Sequence, residues 1–289
     1  MSFNSPQKIL LIGAGELGQS FLKTLAAYPS SRVDLSVLLR PSSSTDLSQY
    51  SATVVRGDTT APISELAALF KPYDIIICAA GFASGPGTQL RLAKAALEAG
   101  VPHYLPWQFG VDYDIIGRGS SQPVFDEQLD VRELLRAQSK VKWTIVSTGL
   151  FTSFLFEPGF GVVDLKEGVV RALGKWENSV TVTSSDQIAK FTAAMLLDTP
   201  SPPEGVVFVA DGTVTFRDVA ELVKKAGWKV QTEVLTVEAL EEQLRKSPDD
   251  VWTKYQLIWA RNAGVSWPKE STWNVKEGLG GEALAVPKP

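Results

Sequence analysis

Apolar positions in the first half of the chain form short, nearly unbroken runs, separated by stretches in which they recur every three or four residues. The runs predict strands at Lys8–Ile12, Val33–Leu39, Thr53–Val55, Asp74–Cys78, Val101–Tyr104 and Lys142–Val146. Their continuous apolar character suits strands covered on both faces, as a parallel sheet requires. Between the first two, Leu17, Phe21, Leu22, Leu25 and Tyr28 recur at helical spacing, and Pro29 stands where that helix should stop. Further helices are predicted at Ser64–Phe70, Gln89–Ala99 and Phe125–Gln138, the last with an inward stripe of Phe125, Leu129, Leu134 and Leu135. Strand and helix alternate, so the fold class is α/β, a doubly wound parallel sheet with right-handed helical crossovers.

After Gly149 the alternation ends. Residues 151–180 are rich in Gly, Phe and Val without clear period, which predicts loops and short strands of a smaller second lobe. Ser185 is the expected cap of a helix beginning at Asp186. A strand at Val206–Val209 and helices at Phe216–Ala226 and Val237–Lys246 follow, while Ser42–Thr45 and Thr199–Pro203 have the composition of surface loops. The expected organisation is a nucleotide-binding domain over residues 1–150 and an α/β substrate lobe over 151–289, with segments of the latter returning to the first domain.

Composition narrows the class. The 289 residues are 44% hydrophobic, 21% charged and 9% aromatic, an ordinary globular mixture. Lys and Arg total 28 against 32 Asp and Glu, a formal charge of −4, which argues against a general nucleic-acid binder. No apolar run approaches the roughly 18 residues of a membrane span, and the first eight residues lack a secretion-signal pattern, so no membrane partner and a cytoplasmic location are expected. The single Cys78 and single His103 exclude a zinc ribbon or three-histidine centre, and no metal is expected. Cys78 sits in the apolar run Asp74–Cys78 and reads as a buried structural thiol.

Chemistry enters at Gly13-Ala14-Gly15-Glu16-Leu17-Gly18, a G-x-G-x-x-G sequence directly after a strand and opening a helix. Gly13 permits the tight turn, Gly15 lets a diphosphate approach the backbone, and Gly18 lets the helix pack on the strand. Glu16 and Leu17 place their N–H groups at the positive end of the helix dipole. This is the Rossmann-type dinucleotide signature. The ribose 2′ position is read near the end of the second strand, where Arg40 stands in place of an acid. Arg40, backed by Ser42, Ser43 and Ser44, suits the 2′-phosphate of NADP(H) through charge-assisted bonds. Asp34 lies at the wrong end of that strand. Ala80 and Gly81, after the fourth strand, complete the expected cofactor wall.

The chain resembles the NmrA-like, atypical short-chain dehydrogenase relatives that include isoflavone reductase, pinoresinol–lariciresinol reductase and phenylcoumaran benzylic ether reductase. The resemblance runs through Ile9–Gly18, Val37–Arg40, Gly57-Asp58, Gln89, Ala99–Val101 and Pro106-Trp107-Gln108-Phe109-Gly110. It continues through Phe125–Leu135, Thr148–Phe151 and Asp186–Ile188 and weakens after about Phe216, and it looks closest to the fungal isoflavone-reductase-like branch. It implies NADPH binding, with Gln108 and Phe109 near the cofactor and Phe151 beside the nicotinamide, and reduction of phenolic or other aromatic metabolites.

Two departures bear on activity. The family's Pro-Ser-Glu-Phe-Gly segment reads Pro106-Trp107-Gln108-Phe109-Gly110, and the family's catalytic lysine position is Gln128, an amide that orients but does not transfer a proton. The Tyr-x-x-x-Lys pair of ordinary short-chain dehydrogenases is absent from the sequence, and Gly117–Ser121 fails the G-x-S-x-G pattern. Candidate substitutes are Tyr113 and Asp114, then Asp126, Glu127 and His103, each with a structural reading beside the catalytic one. Trp252, Tyr255 and Trp259 recur at helical spacing, as a buried face or as a wall for a flat substrate; Trp267 and Trp273 lie further on. The expectation is an NADPH-dependent reductase of an aromatic or conjugated small molecule in specialised metabolism. The alternatives are a non-catalytic NADP-binding regulator with a protein partner, and a non-redox isomerase or cyclase.

Overall fold

The computed structural model describes residues 5–81 and 85–289. Its first elements are β1 (Gln7–Ile12), α1 (Glu16–Leu25), β2 (Val33–Leu39), β3 (Thr53–Arg56), α2 (Ile63–Phe70), β4 (Ile75–Cys78), α3 (Thr88–Ala99) and β5 (His103–Leu105). Next come α4 (Tyr113–Ile116), α5 (Val124–Arg136), β6 (Lys142–Ser147), β7 (Leu150–Phe151), β8 (Val163–Asp164), β9 (Val169–Leu173) and β10 (Ser179–Thr183). The chain ends with α6 (Ser185–Leu197), β11 (Gly205–Phe208), β12 (Gly212–Thr215), α7 (Phe216–Lys225), β13 (Gln231–Leu235), α8 (Val237–Lys246), α9 (Val251–Arg261) and α10 (Trp273–Lys276).

The chain forms two compact units, neither continuous in sequence: residues 1–109, 127–146 and 188–207 make the first, and 110–126, 147–187 and 208–289 the second. In the first, seven strands lie in the order β11-β6-β5-β4-β1-β2-β3. The pairings β3–β2, β2–β1, β1–β4, β4–β5 and β5–β6 are all parallel, so the doubly wound α/β sheet expected from the apolar runs is the fold observed. Ile9 to Ile12 of β1 and Ile76 to Cys78 of β4 are wholly buried, as strands covered on both faces must be. Strand order reverses at β1, between β2 and β4, which opens a crevice beyond the carboxyl ends of those strands.

The second unit carries two three-stranded sheets, β12-β10-β7 and β13-β9-β8. The expected short strands of residues 151–180 are present. Two details differ from expectation. Ser184, not Ser185, caps α6, its Oγ accepting from the Gln187 N–H at 3.3 Å. The strand expected from Val101 starts at His103, because Pro102 brings no N–H to a ladder. Among the described residues no helix is long and apolar enough to cross a membrane.

Candidate functional site

The crevice is a cleft of about 340 Å³ in the first unit, bordered by the glycine turn after β1, the end of β2 and the Ala79–Gly81 segment after β4. Gly13 adopts φ +95°, and a Cβ there would lie 3.0 Å from the Ala80 backbone. At Gly18 a Cβ would meet the Gly13 carbonyl oxygen at 2.4 Å, so only glycine lets α1 pack this closely. Among the described residues nothing lies within 4 Å of where a Gly15 Cβ would stand, which leaves that backbone facing open space. No side chain among the described residues caps the N-terminus of α1. Leu17 is buried and offers only its backbone, whereas the Glu16 side chain is exposed. N–H groups at the positive end of a ten-residue helix without a side-chain cap make a place for an anion.

The wall at Ala80–Gly81 is held by a residue for which sequence reasoning gave no role. Gln89 is buried on α3 and donates its Nε2 to the carbonyls of Ala80 at 2.8 Å and Gly81 at 3.1 Å. Its only sequence signal was its place in the family pattern. Beside Gly81 lies the half-buried Trp107 indole, whose Cζ2 would stand 3.3 Å from a Cβ on that glycine. Beneath the wall, burial pushes the Cys78 thiol up to about 12, so it stays protonated as a structural group.

At the opposite end, Arg40 follows β2 and lines the cleft with Ser43 and Thr45. Ser42 and Ser44 are exposed outside the lining; the turn Arg40-Pro41-Ser42-Ser43, closed by Ser43 N–H to Arg40 C=O at 2.9 Å, brings Ser43 inward. The Arg40 guanidinium is exposed and makes no hydrogen bond or ion pair among the described residues. The nearby positive charge helps hold Asp58 below the usual carboxylate range, behind the larger effect of its hydrogen bonds from Thr60.

Gln108, Gln128 and Arg132 are wholly buried and joined: Gln108 Nε2 donates to the Gln128 backbone carbonyl at 2.8 Å, and Arg132 Nε donates to Gln108 Oε1 at 2.9 Å. The Gln128 carboxamide itself has no partner for either Nε2 or Oε1 among the described residues. Phe109 is buried against Phe21, centroids 5.5 Å apart. Glu127 is committed to structure, its two oxygens accepting from the N–H groups of Gly87 at 2.9 Å and Leu90 at 3.0 Å to cap α3. His103 bonds Thr144 through Nε2 at 2.8 Å, and burial pushes its pKa down to about 4, so it is neutral. Both observations fit the structural readings of these two residues.

The remaining candidates belong to the second unit. Tyr113 is buried edge-on against Phe125 at 5.0 Å, and its hydroxyl lies 3.0 Å from where a Gly110 Cβ would stand. Asp114 is exposed in the first turn of α4, which Asp112 caps by accepting the Asp114 N–H. Asp126 accepts from the Gly119 N–H at 3.0 Å. Phe151 is half-buried on β7, in register with Thr183 of β10. Trp252 and Tyr255 are half-buried and Trp259 buried, in a ring cluster with Phe154 and Phe160.

The cleft thus offers the N–H groups of a helix start beside the open Gly15 backbone and, among the described residues, an unpaired guanidinium at the next strand end, the donor set for a ligand with phosphates at two places. A family model described as NmrA-like matches residues 5–257. An NmrA-like family domain-containing oxidoreductase of Gibberella moniliformis is 42% identical over 285 residues, covering 94% of this chain and 93% of the relative. Among solved structures, an isoflavone reductase superposes with TM-score 0.73 at 21% identity, over 89% of this chain and 87% of that one. The binary complex of Vitis vinifera leucoanthocyanidin reductase with NADPH gives 0.75 at 18% identity, over 90% and 89%. At such identities the structures speak to the fold, and the sequence matches carry the relationship: this chain belongs to the NmrA-like family.

Proposed function

We propose that the protein is an NADPH-dependent oxidoreductase that reduces an aromatic or conjugated small molecule of specialised metabolism. One observation carries the reading: the cleft has open backbone over Gly15 at the start of α1 and the unpaired Arg40 at the end of β2. The Gly13–Gly18 turn would hold the diphosphate, and Arg40 with Ser43 and Thr45 the 2′-phosphate, while Gln89 keeps the Ala80–Gly81 wall in place. The bound cofactor supplies hydride from its nicotinamide. The oxidoreductase name of the 42% identical relative and the NADPH held by the solved leucoanthocyanidin reductase support the same reading.

Gln128 shapes the substrate class. A carboxamide neither gives nor takes a proton near neutral pH, so an electrophile already activated, such as a quinone methide, imine or extended enone, fits better than a simple ketone. Tyr113 and Asp114 remain the proposed alternatives for managing the counter-charge, and Phe151 the proposed apolar neighbour of the nicotinamide. Incubation with NADPH and a panel of such electrophiles, followed through loss of nicotinamide absorbance, tests the proposal; no oxidation across the panel would contradict it.

The sealed Gln128 amide favours one rival, a non-catalytic NADP-binding regulator. A stoichiometric protein complex whose affinity changes with NADP, in a preparation without turnover, would select it.

A further inference from the structure

A second arginine stands behind the first. β2 and β3 pair in parallel with Leu39 opposite Arg56, so residue 56 lies beside the last residue of β2, one position before Arg40. From there Arg56 Nη1 donates to the Arg40 carbonyl at 3.1 Å and to the Ser43 carbonyl at 2.8 Å. The Ser43 N–H closes the same turn on the Arg40 carbonyl, and Pro41 fixes φ at its second position. One guanidinium nitrogen therefore ties together both ends of the turn that carries Arg40 and Ser43 into the cleft. Arg56 is itself exposed on the edge strand of the sheet, where a side chain has no packing duty that demands arginine.

We propose that Arg56 is a positioning residue for the 2′-phosphate subsite: it acts through the Arg40–Ser43 turn, holding the Arg40 guanidinium and the Ser43 hydroxyl where they discriminate NADPH from NADH. The proposal rests on the reading of the cleft as an NADP(H) site. An untied turn would leave Arg40 charged but unplaced, so the 2′-phosphate would lose its preorganised partners while the diphosphate contacts over Gly15 stay intact.

Calorimetric titration of NADPH and NADH into the full-length protein tests this, using Arg56→Met, Arg56→Lys, Arg40→Ala and the Arg40→Ala/Arg56→Met double variant. Arg56→Met should weaken NADPH about tenfold and leave NADH within about twofold, with Arg56→Lys, which keeps donors on a flexible stem, in between. The double variant should bind NADPH within about twofold of Arg40→Ala alone, far short of the product of the two single losses, since only the Ser43 hydroxyl is then left for Arg56 to position. An unchanged NADPH-to-NADH ratio in Arg56→Met, or additive losses in the double variant, overturns the inference. Thermal melting accompanies each titration, and if the methionine variant fails to fold, the lysine variant carries the test through the same ratio. Absence of NADPH binding by the unmodified protein would instead overturn the reading of the cleft, and this inference with it.

Discussion

The two units fill their interiors with different material. A core cluster of the first is mostly aliphatic: Leu10, Ile12, Leu38, Ile76, Leu92, Val131 and Ile145, with small Ala93 and Ala96 where α3 packs closely and only Phe70 and Tyr104 as wholly buried rings. In the second, Phe125, Phe154, Phe160, Trp252, Tyr255 and Trp259 form a connected set of rings with centroids 5.1 to 6.3 Å apart. A sheet of parallel strands supplies repeated backbone partners at fixed spacing, so modest β-branched and leucine side chains suffice to fill it. Short strands and irregular turns supply no such lattice, and large rings bridge what the backbone leaves apart.

The comparison predicts unequal sensitivity to truncation. Phe160 is wholly buried between Phe154 and Trp259, and Phe160→Ala should cost about 3–5 kcal/mol in urea unfolding. Leu92→Ala, on the wholly buried face of α3, should lie lower in the roughly 2–5 kcal/mol range, because its own helix, lined by small Ala93, Ala95 and Ala96, can settle inward. An equal or larger loss at Leu92 would break the distinction between a ring-bridged and a lattice-supported core.

The same difference decides how much of the molecule was legible in the sequence. Strand β2 matches its expected bounds, Val33–Leu39, and α8 its own, Val237–Lys246, because each carries its period within a single segment. Strand β13, Gln231–Leu235, is exposed at four of five positions and has no apolar run to betray it; only its pairing with β9 makes it a strand. The glycine turn and Arg40 were readable because their chemistry is local. Gln89 and Arg56 were not, since each acts on backbone carbonyls brought near by the fold. Ser185 is the expected cap of α6, and the structure starts the helix one residue earlier and places that bond on Ser184.

Within the first unit the cleft and the Gln128 position differ as open does from sealed. Two buried polar atoms without partners cost stability, so Gln128→Met, close in volume, should raise unfolding free energy by about 1–3 kcal/mol. Turnover sharpens the result: a more stable variant with lost activity marks the amide as a group retained for chemistry, and one with unchanged activity removes it from the mechanism.

Acid should weaken the first unit at His103, the chain's one histidine. Burial is the main cause of its pKa near 4, with the Lys142 charge adding to it and Glu204 opposing. With the folded value below the unfolded value of about 6.5, its contribution is complete above pH 6.5 and lost as pH falls from there toward 4. Between pH 7 and pH 5 the loss should be about 2 kcal/mol. His103→Gln, which keeps a polar atom toward Thr144, should flatten that slope in urea unfolding followed across the range. An unchanged slope would place the acid sensitivity elsewhere.

The smallest effect is expected at Tyr104, one residue along β5. Its side chain is wholly buried, and its hydroxyl finds no partner among the described residues. Burial pushes its pKa well up, so the group stays neutral and the cost is that of a lost hydrogen bond to water rather than of a charge. Tyr104→Phe removes that hydroxyl and keeps the ring that fills the space between β5 and its aliphatic neighbours, so stability should rise by about 1 kcal/mol. The variant also separates ring from hydroxyl as the reason for tyrosine in a mostly aliphatic core cluster. A loss of stability would mean that the hydroxyl is paired in solution, and that this part of the first unit's interior depends on a polar contact rather than on shape alone.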